Sequence, residues 1–551
     1  MAYFSAAGLS ATLLPGVLWS QLAMAQEGEI SIETIRHAEK LAGLEFTDEE
    51  RENLSRGIKR LVRNYRKLRE VDLPNDVVPA FHFNPVLPGM TFNTERRPIR
   101  LSEGPVREVP DDLEDVAFWT VMDLSRAIKA GKISSVALTK MYLERLKRYG
   151  PLLECVITLT EDLAIKQARR ADDEIAAGKY RGPLHGIPWG AKDLLAARGY
   201  PTTWGAMPFK DQVIDEDATV VKRLEEAGAV LVAKLTLGAL AQGDIWYGGR
   251  TNNPWNPKRG SSGSSAGPAS ATAAGLVGFA IGSETNGSIT SPATRCGVTG
   301  LRPTFGRVSR HGAMALSWSM DKLGPLCRSV EDCAVVLDAV CGPDGKDLTV
   351  TDLPFNWDAK FDVRKLRVGY VESGFSTDGA KQGNNERTLE TLKSLGIELQ
   401  PIQLPDLPFN AMGFILTVEA AAAFDDLTRS GRDDELVNQG GTAWPATFRR
   451  ARLVPAVEYI QAMRVRTLLM RQMAELMNTV DVYVTPTLQN LYLGNFTGHP
   501  IISVPNGFTD RDEPTSIGFV GRLYGEAELL SLAAAYQNAT EYHLKHPKLE
   551  A

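Results

Sequence analysis

Residues 260–275 read GSSGSSAGPASATAAG, and the interpretation of this stretch decides the fold. A run of glycine and serine is typical of a flexible tether between domains. A tether stays polar, whereas this segment continues as LVGFAIGSETNGSITSPA, with apolar residues first and a return of glycine and serine at 282–291. Small and apolar residues together predict a tightly packed helix and strand. We therefore predict a folded unit at whose two ends the Gly/Ser clusters meet.

Composition and charge describe an ordinary globular chain. The 551 residues are 43% hydrophobic and 23% charged, with a formal net charge of -6. This acidic balance is atypical of nucleic-acid-binding proteins, which usually carry a basic excess. No run of 18 apolar residues occurs, so neither a transmembrane helix nor a membrane partner is expected. The five cysteines form no CxxC pair and the seven histidines form no HExxH motif, so no metal site is expected.

The first 26 residues, MAYFSAAGLSATLLPGVLWSQLAMAQ, lack charged side chains and end in Ala23-Met24-Ala25 before Gln26. An apolar stretch closed by an A-x-A site is typical of a secretory signal peptide. The basic n-region is missing, which a start further upstream, with the arginine pair of a twin-arginine signal, would explain. We expect export to the periplasm, with a cytoplasmic protein that carries an apolar leader as the alternative.

Residues 27–111 predict a helical hairpin followed by an extended strap. ISIETIRHAEKLAG predicts a helix that ends at Gly43, and Thr47 with Glu50 makes a capping box for a second helix. The apolar stripe of the second helix consists of Leu54, Ile58, Leu61, Tyr65 and Leu68. Residues 71–111 are rich in proline and irregular, so we expect them to lie extended over another part of the protein.

From Asp112 onward the pattern alternates between helices and strands. TVMDLSRAIKAGKISS and SSVALTKMYLERLKRY predict amphipathic helices, and LHGIPWGAKD predicts a strand that runs into a loop. DATVVKRLEEAGAVLVAKL predicts a helix, a stop at Gly228 and a buried strand over 230–232, while LRVGYVES and DVYVTPT predict strands and SLAAAYQNATEYH a late helix. This alternation predicts an α/β fold, a layered mixed β-sheet covered by helices, preceded by the small helical hairpin.

The two Gly/Ser clusters favour serine chemistry. Glycine lets a substrate approach backbone N–H groups, and a serine among such groups has an oxyanion hole at hand. A nucleophilic serine also needs a base, and with no GxSxG motif and no histidine near either cluster a Ser-His-Asp triad has no local support. Lys192 in GIPWGAKD can serve if burial lowers its pKa. By themselves these residues fit a surface lysine beside Asp193 better.

Several separate stretches resemble the amidase signature family of serine hydrolases. They are GIPWGAKD, TNNPWNP, SGSSAG (262–267), GSETNGSITSPATRCGVTGLRPT (282–304), SWSMDKLGPLCRSVEDCA, DVYVTPT and GHPIISVPNGF, in the order that the family has them. The likeness covers residues 112–545. It implies the amidase signature fold for a domain of residues 112–551, a small-molecule amide substrate, and neither a metal nor an organic cofactor.

The resemblance also implies residue roles. Lys192 would be the base, held neutral, Ser264 the relay serine on a cis peptide bond, and Ser288 the nucleophile. GSS occurs twice, and taking Ser264 puts the relay 24 residues before Ser288, the family spacing, whereas Ser261 would stand 27 before it.

Two further sets of residues follow from the same resemblance. The backbone N–H groups of Thr285, Asn286, Gly287 and Ser288 would form the oxyanion hole. The expected substrate contacts are Ala241, Gln242 and Ser265, the last also as a hydrogen-bond partner within the serine network.

Many family members have the pattern Asp-x-Gly-Gly-Ser-x-Arg, from which this chain departs. This chain has Glu284 in the acidic position, and Asn286 replaces the first glycine, which puts a side chain near the oxyanion turn. Thr290 replaces the arginine, a usual charge partner. Only seven residues separate Thr487 from Asn495, where members often have a longer insertion, so we expect a more open substrate entrance.

The front hairpin carries a second resemblance. IRHAEKLAGLEFTDEERENLSRGIKRLVRNYRKLREVD is similar to the small C subunit of the tRNA-dependent amidotransferase, which straps around that complex's amidase-like A subunit. Here the two would be fused in one chain.

Three functions compete. The first is a free-standing amidase that hydrolyses a carboxylic amide C–N bond, with esters and carbamates as further substrates and a homodimer as the assembly to test. The second is the glutamine-hydrolysing subunit of an aminoacyl-tRNA amidotransferase, and the third is a scaffold that keeps only the fold. The leader and the acidic balance disfavour the tRNA role, and Lys192, Ser264 and Ser288 disfavour the scaffold. We therefore expect the amidase.

Overall fold

A computed structural model describes residues 31–549 apart from 69, 72, 78 and 376–380. The leader predicted for residues 1–26 lies outside the described residues. By its internal contacts the chain divides into two compact units, residues 1–74 with 453–455, and residues 75–452 with 456–551. Residues 75–111, the main part of the predicted strap, therefore cluster with the larger unit.

The smaller unit contains the predicted hairpin of helices α1, Ile32–Ala42, and α2, Asp48–Leu68. Helix α1 ends at Gly43, whose left-handed conformation (φ 67°) suits a residue without a Cβ. The capping box of α2 is present, since the Thr47 N–H donates to Glu50 Oε2 (2.7 Å) and the Glu50 N–H donates to Thr47 Oγ1 (3.3 Å). Local sequence signals thus set both ends of the turn.

The larger unit is built on a mixed sheet. The described strands are β1 Val156–Leu159, β2 Pro188–Lys192, β3 Val230–Leu235, β4 Ile245–Trp246, β5 Gly249–Arg250, β6 Asn252–Asn253, β7 Asn256–Gly260, β8 Phe279–Glu284, β9 Thr299–Arg302, β10 Lys322–Cys327, β11 Val368–Val371, β12 Leu399–Ile402, β13 Val482–Pro486, β14 Ile501–Phe508 and β15 Pro514–Gly521. Eleven of them form the sheet in the order β1-β3-β2-β8-β10-β9-β14-β15-β13-β11-β12, and β4-β5 and β6-β7 form two small hairpins.

Helices cover this sheet, as the alternating pattern predicts. They are α3 Val121–Lys129, α4 Ser135–Leu153, α5 Glu161–Ala176, α6 Thr219–Glu226, α7 Ala266–Ala273, α8 Thr290–Cys296, α9 Val330–Val340, α10 Glu372–Phe375, α11 Gln382–Ser394, α12 Phe414–Ala423, α13 Asp425–Arg429, α14 Trp444–Ala451, α15 Ala456–Thr479, α16 Leu491–Thr497 and α17 Glu526–Asn538. The predicted fold class, an α/β layered sheet covered by helices, is confirmed. Within the described ranges, no helix is long and apolar enough to span a bilayer.

The strands at the centre of the sheet position the candidate site residues. Strands β2, β3 and β8 are fully buried, and β2 runs parallel to both of its neighbours. The carboxyl ends of parallel strands meet at one edge, which is the usual place for a site in an open α/β sheet. Lys192 is the last residue of β2, and the GSETNGS segment begins within the end of β8.

Candidate active site

The stretch 260–275 is folded, and its Gly/Ser cluster meets the cluster at 282–291 as predicted. All eight residues of α7 are buried, which a tether has no reason to be. The Ser265 N–H donates to the Ser288 carbonyl oxygen (3.0 Å), and the hydroxyl oxygens of Ser262 and Ser291 are 2.8 Å apart. The two clusters therefore form one surface at the end of the packed helix and strand.

Lys192 lies beneath this surface with no exposed area. Its Nζ is 2.7 Å from Ser264 Oγ, 2.9 Å from Ser283 Oγ and 3.1 Å from Ser265 Oγ. Burial holds the pKa of this lysine well below its ordinary value, although the more distant carboxylates of Asp321 and Glu284 oppose the shift. Among the described residues its close neighbours are hydroxyl and carbonyl oxygens, which suit a neutral amine.

The chain is held tightly where Ser264 joins this cluster. The peptide bond between Gly263 and Ser264 is cis, the form that the family resemblance implies. A Cβ on residue 263 would stand 1.8 Å from the Gly243 carbonyl oxygen, so only glycine fits there. Ser264 is fully buried, while Ser288 is partly exposed.

Residues 285–288 form a turn of unpaired backbone donors. Within the described parts of the chain, their N–H groups donate to no backbone or side-chain acceptor. Gly287 takes a left-handed conformation (φ 90°), and a Cβ there would also stand 3.0 Å from Leu491 Cδ1. Successive free N–H groups in such a turn make a concave site for an anion.

Glu284 anchors the turn from below. Its Oε2 accepts the N–H groups of Ile289 (2.9 Å) and Thr290 (3.0 Å) and the Thr290 hydroxyl (3.1 Å). Its Oε1 accepts from Arg302 Nη1 (2.8 Å). Burial alone would raise the pKa of Glu284, but the Arg302 guanidinium and the backbone donors outweigh it and hold the pKa at about 2. The charge partner lost at Thr290 is thus supplied by Arg302.

A cavity of about 90 Å³ opens beside these residues. Ser283, Thr285 and Asp321 are among its lining residues, and the Thr285 hydroxyl donates to Asp321 Oδ1 (2.6 Å). Leu194, Met314 and Leu323 line its sides. An engineered apolar cavity of about 150 Å³ holds a benzene molecule, so this one suits a smaller group.

The predicted substrate contacts fall in three different places. Ala241 lines the cavity. Gln242 does not line it, and instead its Nε2 donates to the Thr442 carbonyl oxygen (3.0 Å). Ser265 belongs to the lysine cluster, where its hydroxyl donates to the Ser283 carbonyl oxygen (3.0 Å).

Three residues of the site escaped the sequence reasoning. Ser283 contacts Lys192, Asp321 holds Thr285, and Arg302 pairs with Glu284. Ser283 carried a signal, because side chains two apart on a strand share a face and Thr285 stands two residues further on. Arg302 stands in the quoted stretch 282–304 and Asp321 in SWSMDKLGPLCRSVEDCA, but only the fold shows that they contact Glu284 and Thr285.

Comparison with known proteins agrees with this geometry. The family model for amidases matches residues 137–493. The A subunit of glutamyl-tRNA(Gln) amidotransferase from Carboxydothermus hydrogenoformans is 32% identical over 486 residues, which cover 79% of this chain and 100% of that protein.

Solved structures show the same fold. An amidase family protein from Bacillus anthracis has a TM-score of 0.71 and 27% identity, covering 79% of this chain and 93% of its own. Peptide amidase from Stenotrophomonas maltophilia has a TM-score of 0.69 and 30% identity, covering 78% and 98%. The family model spans more than half of the residues, so the chain belongs to the amidase family, enzymes that hydrolyse the C–N bond of amides.

Proposed function

We propose that this amidase works through Ser288 as nucleophile, Ser264 as proton relay and Lys192 as base. The observation that carries the proposal is the fully buried Lys192 Nζ, 2.7 Å from Ser264 Oγ and 2.9 Å from the hydroxyl of Ser283, two residues before the turn at 285–288. A lysine that burial keeps neutral can accept a proton near neutral pH, which an ordinary lysine cannot.

The reaction is acyl transfer. As Ser288 Oγ attacks the amide carbon, its proton passes to Ser264 Oγ while the Ser264 proton passes to Lys192 Nζ. The resulting oxyanion receives hydrogen bonds from the turn at 285–288, where each donor typically contributes on the order of 10²–10³ in rate. The proton then returns by the same path to the leaving amine, and the C–N bond breaks. Water deprotonated through the relay releases the acid and restores Ser288.

The substrate follows from the cavity. We assign to it a small, mostly apolar part of the amide, since leucine and methionine side chains line the walls and the volume is about 90 Å³. Esters and carbamates of the same shape present the same carbonyl to Ser288 and are further expected substrates.

The nucleophile assignment is tested with purified protein. Ser288→Ala abolishes turnover of a small acyl anilide and also removes labelling by a fluorophosphonate, because both need the same hydroxyl. Ser261→Ala is the matched control: this serine is buried in the rejected GSS, its hydroxyl donates to the Ser262 carbonyl oxygen (2.9 Å), and its loss leaves labelling intact. Continued labelling of Ser288→Ala would refute the assignment.

The second candidate is the glutamine-hydrolysing subunit of an aminoacyl-tRNA amidotransferase. The similarity to A subunits favours it, and so does the predicted likeness of residues 27–111 to a C subunit, with α1 and α2 as its hairpin. Under this alternative, glutaminase activity appears only when a partner subunit is added. Hydrolysis of anilides by the isolated chain favours the first candidate.

Location and assembly complete the proposal. An exported, periplasmic amidase has residues 1–26 removed, which N-terminal sequencing of the protein from a periplasmic extract detects. A homodimer is tested by light scattering of the purified chain.

A further inference from the structure

A second buried lysine stands beside the oxyanion turn and has no part in the proton relay of Lys192, Ser264 and Ser288. Lys322 is 2% exposed and begins β10, directly opposite Glu284 in the antiparallel pair with β8. Its Nζ donates to Asn495 Oδ1 (2.6 Å) and, among the described residues, forms no ion pair. Burial, with help from the nearby Arg302, lowers the pKa of Lys322 well below its ordinary value, while Glu284 and Asp321 oppose the shift.

Asn495 carries this contact to the turn. It lies in α16 with no exposed area, and its side-chain oxygen is taken by Lys322. With that oxygen occupied, the Nδ2 group faces the other way and donates to the Leu491 carbonyl oxygen (2.9 Å), Glu284 Oε1 (3.1 Å) and Asn286 Oδ1 (3.3 Å). Lys322 thereby fixes which end of the amide points at the turn.

The contacts from Lys322 through Asn495 end at the side chain of Asn286. Glu284 has its own anchors in Arg302 and α8, and Thr285 has Asp321. For the Asn286 side chain, the described residues provide only the bond from Asn495. This is the position where many relatives have glycine and need no such support.

We propose that Lys322 and Asn495 are positioning residues that hold the Asn286 side chain and so aim the N–H groups of the oxyanion turn. The inference rests on the proposed function, since it assumes that the turn receives the oxyanion. It explains why this chain tolerates a side chain at 286. It also explains why the Lys322 amine is buried. The amine donates to Asn495 Oδ1, and without that hydrogen bond the Asn495 side-chain amide is free to rotate.

The first measurement is the split between kcat and KM for an anilide. Lys322→Met keeps the length and removes the donor. We expect kcat to fall about tenfold to hundredfold, the cost of a small misplacement in a site, while KM changes little because Lys322 does not contact substrate. The control is Ser531→Ala in α17, a buried serine whose hydroxyl donates to the Ala527 carbonyl oxygen (2.8 Å), and we expect it to leave kcat unchanged.

A double-mutant cycle separates positioning from general structural damage. In an Asn286→Gly background there is no side chain to hold, so Lys322→Met costs at most about threefold in kcat by the same reasoning. Asn495→Leu, measured in both backgrounds, repeats the cycle if Lys322→Met does not fold. Equal losses with and without Asn286 overturn the inference.

The fluorophosphonate distinguishes failure of the proposed function from failure of the positioning role. If wild-type Ser288 is not labelled, the proposed function itself fails. If Ser288 is labelled and Lys322→Met turns over like wild type, the function stands and the positioning role is refuted.

Discussion

Two lysines on neighbouring strands are equally buried and have opposite surroundings. Lys192 ends β2 and Lys234 lies in β3, where it pairs in register with Ala191. Neither has exposed area, but Lys234 Nζ is 2.7 Å from Asp193 Oδ1, whereas Lys192 Nζ is surrounded by serine oxygens. Burial raises the pKa of Asp193, and the Lys234 ammonium opposes that rise.

The difference shows how one fold can hold one buried lysine in an ion pair and leave another, the proposed base, among neutral oxygens. A buried charge is tolerated when a partner neutralises it, and without one the group gives up its charge. Asp193 follows Lys192 directly in the chain, yet its carboxylate pairs with Lys234 of the adjacent strand. Its carboxylate is held there by the Thr203 N–H (2.8 Å) and hydroxyl (2.5 Å). Within the part of the chain that the structure describes, Lys192 therefore has no carboxylate within ion-pair distance.

The largest effect is expected from Lys192→Met. The side chain keeps its length and loses the base, so kcat falls about 10²–10⁴-fold, the usual contribution of a general base. Steady-state turnover of the anilide measures it. A variant that retains more than a tenth of wild-type kcat would contradict the assignment of Lys192.

Lys234→Met, unlike Lys192→Met, is expected to cause a large loss of stability and only a small loss of activity. It strands the buried Asp193 carboxylate, which costs about 3–5 kcal/mol when one partner of a buried pair is removed. Urea denaturation measures the change. Adding Asp193→Asn to this variant removes the stranded charge and should recover most of the loss, whereas an uncorrected loss would show that packing, not charge, is responsible.

The pH dependence of stability should separate the lysines further. The pKa of Lys192 is lowered in the folded state, so the unfolded chain binds its proton more readily and stability rises with pH. Lys192→Met removes this cost and is more stable than wild type at neutral pH. The gain shrinks as the pH approaches the unfolded pKa, about 10.4. Denaturation midpoints of both proteins between pH 6 and 10 test this, and a gain that stays constant would contradict it.

Much of the fold is readable from sequence because its signals are local. The end of α1 at Gly43 and the Thr47 capping box depend on a few adjacent residues, and the fully buried β3 begins with the apolar run 230–233. The apolar residues after position 275 distinguish the packed segment 260–275 from a tether. In each case the relevant contacts lie within one or two elements.

The support of the site is different, because it is assembled from distant segments. Asn495 is 211 residues from Glu284, and Lys322 is 173 residues from Asn495. A single sequence contains no record of such pairs, and the sheet order that brings β8, β10 and α16 together follows from packing of the whole unit. Family resemblance could supply Ser264 and Ser288, but it was silent about residues with which this chain compensates for its departures.

The strap is also far from the cavity in sequence although it lines the cavity in the fold. A change in the strap is expected to have the smallest effect. Asn75 lies 240 residues from Ala315, yet its Nδ2 donates to the Ala315 carbonyl oxygen (3.0 Å) and its Oδ1 accepts the Ala315 N–H (2.7 Å). Both residues line the cavity, so this pair of bonds fixes one wall.

Asn75→Ala loosens that wall without touching Lys192, Ser264 or Ser288. We expect kcat/KM for larger acyl anilides to rise relative to an acetyl anilide by about two- to tenfold, the equivalent of about 0.5–1.5 kcal/mol of hydrogen bonding. An unchanged ratio would show that the strap does not limit the size of the substrate, while labelling of Ser288 should be the same in both proteins.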